Sequence, residues 1–171
     1  QAPSEPVAEA PKSRLDERIA HYAQTYEVPE SLVRRSIVRE SGYNPKARNG
    51  PYWGLMQIRY DTAKNLGYRG PARGLLDADT NLKYACAYLA NAYKVAEGDA
   101  NRAISLYARG YYYEARRKGL LDRLTTAEAA ESAKATEAVA TTDVAKTVEA
   151  VATTDAAKPA GAARTADATT P

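Results

Sequence analysis

Glu40 is the residue around which chemistry can be built. It stands in the segment Ile37-Val38-Arg39-Glu40-Ser41-Gly42-Tyr43-Asn44-Pro45. Val33, Ser36 and Ile37 precede it by seven, four and three residues, a spacing that puts all four on one helix face. Gly42 reads as the residue past the helix end and Asn44-Pro45 as the following turn. A carboxylate there meets the negative end of the helix dipole, and burial also disfavours its charge. Both effects raise its pKa and favour the protonated form near neutrality, which suits a general acid. The alternative is a glutamate that closes a helix and faces water.

The elements that would position Glu40 are helical. Ser13 with Asp16 resembles a helix-start box, and Leu15, Ile19, Tyr22 and Tyr26 follow at helical spacing. Pro29 suits the first position of a second helix that runs to about Glu40. Residues 43–53, rich in Gly, Pro and Asn, read as a loop. Asp61 can cap a short helix that Gly67 ends, and residues 68–76 are irregular. Asp77 or Asp79 can cap a long helix to about Ala96, and Asp99 or Asn101 another to about Arg109. The basic run Arg116-Arg117-Lys118 precedes the last large apolar residues, Leu120, Leu121 and Leu124. No strand pattern is visible, so the fold class is all-α. Residues 1–12 read as a flexible leader and 13–124 as the domain. Residues 125–171 read as a disordered, low-complexity Ala/Thr-rich tail, in which Glu137–Asp143 recurs as Glu149–Asp155. Two such copies lack the apolar bulk to build a core.

Composition narrows the function classes. The 171-residue chain has no apolar run long enough to span a membrane. Phe is absent and all 13 Tyr lie between Tyr22 and Tyr113, so rings that also hydrogen-bond supply both core and any wet cleft. Residues 12–124 carry 20 Lys and Arg against 12 Asp and Glu. Such a domain can approach nucleic acid, an anionic membrane or an anionic wall polymer, but nucleic-acid motifs are absent and no such partner is expected. Cys86 is the sole cysteine and reads as a small buried residue, compatible with either a reducing or an oxidising compartment. His21 reads as a surface residue. The chain opens at Gln1, as it would after removal of an export signal or at any other boundary.

Four motifs stand in order along the chain. They are Glu40-Ser41-Gly42-Tyr43-Asn44-Pro45-Lys46-Ala47, then Trp53-Gly54-Leu55-Met56-Gln57-Ile58, then Asn81 through Leu89, and finally Leu106-Tyr107-Ala108-Arg109-Gly110. Together they resemble the catalytic domain of the soluble lytic transglycosylases, lysozyme-like helical enzymes akin to goose-type lysozyme, over roughly residues 15–120. The resemblance implies that Glu40 is the catalytic acid and that Ser41 lies near the sugar. It sets Met56 and Gln57 on the cleft wall and Tyr88 and Tyr107 near the acid. From the residues alone, Tyr88 and Tyr107 read as core aromatics, and Met56 reads equally as core or as wall. Asn81 reads as structural, and Gly54 permits a tight backbone entry into Leu55-Met56-Gln57. The chain departs from the family pattern at Ala108, where Asn is common, and at Arg59-Tyr60, where Met-Pro is usual. It departs again at Pro51-Tyr52-Trp53, where small residues are the rule. Trp53 is either an added sugar-stacking platform or a loop tryptophan packed on the domain.

Ordinary glycosidases use two carboxylates, and the matched motifs supply one. The resemblance implies a single-acid route on peptidoglycan glycan strands, in which the C6 hydroxyl of N-acetylmuramic acid displaces the leaving sugar and leaves a 1,6-anhydro end. A hydrolytic lysozyme on the same scaffold and a non-catalytic peptidoglycan-binding module are the alternatives. No cofactor or metal is implied. The expected state is a monomer, periplasmic or otherwise exported to the bacterial cell envelope, whose tail offers a point of attachment for cell-envelope machinery.

Overall fold

The computed structural model describes residues 11–137. Its helices are α1 (Pro11–Thr25), α2 (Glu30–Ser41), α3 (Tyr60–Asn65), α4 (Ala78–Val95), α5 (Ala100–Arg109) and α6 (Tyr112–Arg117), with a further helix, α7, from residue 127. Short 3-10 turns at Ala72–Leu76 and Leu121–Arg123 complete the set. The fold class is all-α, as the sequence implies. Among the described residues no helix is long and apolar enough to cross a membrane.

Helix α4 is the axis of the core. Asn81, Leu82, Tyr84 to Ala87, Leu89 to Ala92 and Val95 are all buried along it. Its alanines let α1 and α5 approach closely, and these two helices make its largest contacts. Asp77 caps α4 by accepting from the Thr80 N–H at 2.9 Å, and Asp99 caps α5 from Arg102 at 2.9 Å. Asp79 turns instead to Arg18. Asp61 is not a cap. Helix α3 starts one residue earlier, at Tyr60, so Asp61 lies inside it and pairs with Lys64 at 2.9 Å. Pro29 sits one position before α2 rather than within it. Cys86 is fully buried and His21 exposed.

Two features differ from the sequence expectation. First, the 43–59 region is more than a loop. It holds a small antiparallel sheet of three two-residue strands, β1 (Arg48–Asn49), β2 (Tyr52–Trp53) and β3 (Ile58–Arg59). Strands of two residues are too short to leave an alternation signal. Second, the compact unit runs to Lys134, beyond the expected boundary at 124. Asn91 accepts from the Thr125 N–H and donates to the Thr125 carbonyl, both at 2.9 Å. Ala127 is fully buried and its N–H donates to Leu66 O at 3.2 Å. Lys83 pairs with Glu131 at 2.6 Å. Small residues and a few charges are enough to dock this segment when its partners lie on α4 and at the end of α3. The leader expected over 1–12 lies outside the described residues except for its last two, which belong to α1. The remainder of the expected tail, from 138, lies outside them as well.

Candidate active site

Helix α2 delivers Glu40 in its last turn. Gly42 follows in the left-handed conformation (φ 59°), and its N–H donates to Ile37 O and Val38 O at 3.1 and 3.2 Å. This closes the helix by the route that glycine makes inexpensive. Val33, Ser36 and Ile37 are buried on the face leading to Glu40, whose own side chain is 22% exposed. Burial pushes the Glu40 pKa above the ordinary glutamate value, against the opposing pull of Arg39. The Arg39 Nε lies 3.8 Å from Glu40 Oε1, too far for a hydrogen bond.

Opposite Glu40 lies the turn 54–57 that joins β2 to β3. Gly54 (φ 74°) and Gln57 (φ 51°) are both left-handed, and the Gln57 N–H donates to Gly54 O at 3.1 Å. A Cβ on Gly54 would stand 2.2 Å from Leu75 O and 2.4 Å from Asn81 Nδ2, so the position admits glycine alone. Three helices grip this turn. Ser41 Oγ donates to Leu55 O at 2.6 Å. The fully buried Asn81 accepts from Met56 N at 2.8 Å and donates to Trp53 O and Leu75 O, both at 2.8 Å. The Tyr107 hydroxyl donates to Met56 O at 2.7 Å.

Two cavities meet at this turn. One, of about 310 Å³, is lined by Arg39, Glu40, Asn49, Tyr52, Gln57, Tyr107 and Ala108. The other, of about 290 Å³, shares Tyr52, Gln57, Tyr107 and Ala108 and continues past Tyr88 to Arg59 and Arg109. Glu40 is the only carboxylate among the residues lining either. The Gln57 amide nitrogen donates to Gly54 O at 2.8 Å and Ala47 O at 3.2 Å. Two carbonyl partners fix which end of the amide is NH₂, and the carbonyl end remains to accept. Tyr88 is half-buried, 5.2 Å edge-on from the Tyr107 ring and 4.7 Å from that of Tyr111. Burial holds the Tyr107 hydroxyl well above its ordinary pKa, and the neighbouring Glu40 charge pushes the same way.

The structure brings Glu40, Gln57, Tyr88 and Tyr107 to one cleft, and three expected contacts, Ser41, Met56 and Trp53, fall outside the cavity linings. Met56 does not line the wall. Its side chain is fully buried, with Sδ 3.9 Å from Cys86 Sγ, because the three clamps turn its backbone to the site and its side chain to the core. Trp53 lines neither cavity. In the sheet, Asn49, Tyr52 and Arg59 are cross-strand partners in one row, and Arg48, Trp53 and Ile58 form the next. Alternate residues face opposite sides. All of the first row lines the two cavities and, of the second, Ile58 alone does, while Trp53 carries the Arg48 guanidinium 3.2 Å from its ring centroid. Tyr52, 37% exposed, is therefore the aromatic that the sheet gives to the cleft, and Trp53 takes the second of its two readings, a loop tryptophan packed on the domain. Ser41 and Tyr107 spend their hydroxyl protons on the 54–57 turn.

The sequence matches the Transglycosylase SLT domain family over residues 17–128. That span starts within α1 and ends inside α7, and it includes every residue of the two cavities. No solved structure matches the chain.

Proposed function

The chain belongs to the Transglycosylase SLT domain family, whose activity is directed at peptidoglycan, and on that premise we propose that it cleaves the β-1,4 bond between N-acetylmuramic acid and N-acetylglucosamine with formation of a 1,6-anhydromuramic end. The observation that carries this reading is the isolation of Glu40. It is a half-buried carboxyl with a raised pKa and no second carboxylate in the cleft. Protonated Glu40 gives its proton to the glycosidic oxygen, which leaves with the bonding electrons as the hydroxyl of the departing sugar. The Glu40 carboxylate then takes the proton of the C6 hydroxyl on the same muramic residue. O6 bonds to C1, closing the anhydro ring, and Glu40 is again protonated. No water is consumed. An internal nucleophile has a high effective concentration, so the step needs neither a second carboxylate nor a fixed water.

The surrounding residues fit supporting roles. The free Gln57 carbonyl oxygen would accept from a sugar hydroxyl or an N-acetyl N–H. The Tyr52 ring offers a surface to a sugar face. Tyr107 and Ser41 act through the 54–57 turn, and so does Met56, by its backbone. Tyr88 packs on Tyr107 and walls the second cavity. Ala108 lines both cavities without a side-chain amide. Action on peptidoglycan puts the working protein in the cell envelope.

The test is digestion of purified sacculi by the wild type and by Glu40→Gln. The substitution keeps the shape and removes proton transfer, so turnover should fall at least about a hundredfold while the protein stays folded. Near-normal release of muropeptides by the variant would refute the role of Glu40.

A further inference from the structure

Arg59 and Arg109 line the cavity that continues from Glu40, the first without an ion-pair partner among the described residues and the second sharing one. Arg59 sits directly across from Tyr52 in the sheet, on the cleft-facing row. No ion pair engages it among the described residues, and Asp61, two residues on, is paired with Lys64 at 2.9 Å. Arg109 Nη2 lies 3.3 Å from Glu114 Oε2, but Glu114 also holds Arg102 and stands 3.8 Å from Lys118. Lys118 has a nearer partner in Glu97, at 2.9 Å, so Glu114 is shared chiefly by Arg102 and Arg109, and one carboxylate between two guanidiniums leaves positive charge at the cavity. The lining contains no carboxylate. A guanidinium only donates, so its complement is an anionic acceptor, and the planar fork best matches a carboxylate.

From this geometry, and resting on the peptidoglycan reading above, we propose that Arg59, assisted by Arg109, binds a carboxylate carried by the substituent of a muramic residue and so selects strands that bear one. At about 290 Å³ the cavity lies near the small end of ligand pockets. It has room for a sugar's substituent but not for another strand. It opens into the Glu40 cavity through Tyr52, Gln57, Tyr107 and Ala108, so its occupant is part of the polymer being cut. Muramic acid offers the carboxylate in two forms. Its lactyl group is free when the peptide is absent, and the stem peptide supplies its own carboxylates when present.

The experiment measures binding by the Glu40→Gln protein of three saccharides of equal length. They are a chitin oligosaccharide with no carboxylate, a peptide-free glycan strand, and a peptide-bearing strand. At least one carboxylate-bearing strand should bind about fivefold tighter than chitin, the upper scale of a partly exposed ion pair. The preferred strand identifies the carboxylate, and the preference should shrink with added salt. Adding Arg59→Gln should bring the ratio to about one, and Arg59→Glu should favour chitin. Arg59 is exposed, and thermal melting checks that both variants fold. Equal binding of all three saccharides, or a preference that survives both Arg59 variants, would overturn the proposal. Turnover is not read in this assay. Failure of the wild type to cleave peptidoglycan would defeat the catalytic reading, while equal binding alone would defeat this one.

Discussion

The Tyr107 hydroxyl donates to the Met56 carbonyl at 2.7 Å, 51 residues away in sequence. That bond ties α5 to the turn that holds Gln57 in the cleft. Tyr107→Phe keeps the ring and leaves a buried carbonyl without its donor, at a cost of about 1–3 kcal/mol. Melting should fall by several degrees and turnover about tenfold, because Gln57 loses its anchored backbone. Unchanged melting with lowered turnover would instead assign the hydroxyl directly to the substrate.

Asn81 satisfies Met56 N, Trp53 O and Leu75 O from within the core. Asn81→Leu takes this partner from two buried backbone groups and one part-buried one, and a loss of about 3 kcal/mol or more is expected. Denaturant unfolding should show this as a lower midpoint with an unchanged slope. A near-neutral Asn81→Leu would mean that the turn holds itself.

The compact unit ends at Lys134, so truncation has a sharp threshold. A chain ending at 124 loses both Asn91–Thr125 bonds, buried Ala127 and the Lys83–Glu131 pair. It should melt several degrees below a chain ending at 137, which should match the full-length protein. Equal melting of the two truncated chains would return the boundary to 124.

Burial raises the Glu40 pKa in the folded protein above its ordinary value of 4.5. The native state therefore binds this proton more tightly than the unfolded state does. The stability so conferred is complete below the ordinary glutamate range and is lost as pH rises through the raised folded value. Glu40→Gln cannot ionise, so its melting temperature should gain on the wild type across that window and hold the gain above it. Turnover of the wild type should decline on the alkaline side as the acid loses its proton. A gap that does not change with pH would place Glu40 in a water-like environment.

Much of this site is readable in the sequence, and the unread parts share a cause. Glu40, its apolar face and the Gly42 helix end are local features, and helical spacing exposes them. Two-residue strands carry no visible alternation, so the sequence leaves both readings of Trp53 open, and the cross-strand pairing shows Tyr52 beside Asn49 and Arg59 at the cleft. The inward turn of Met56 depends on clamps from Ser41, Asn81 and Tyr107, none of them a sequence neighbour. Residues 125–134 have tail-like composition, and their place on the domain depends on Leu66, Lys83 and Asn91. The cleft role of Arg59 likewise rests on cross-strand register.

The most direct test of the central claim is digestion of peptidoglycan in water labelled with heavy oxygen, followed by mass spectrometry of the new muramic ends. Intramolecular attack by O6 predicts ends one water lighter than a reducing sugar and free of label. Reducing muramic ends that carry the heavy oxygen would show that water is the nucleophile and would contradict the account.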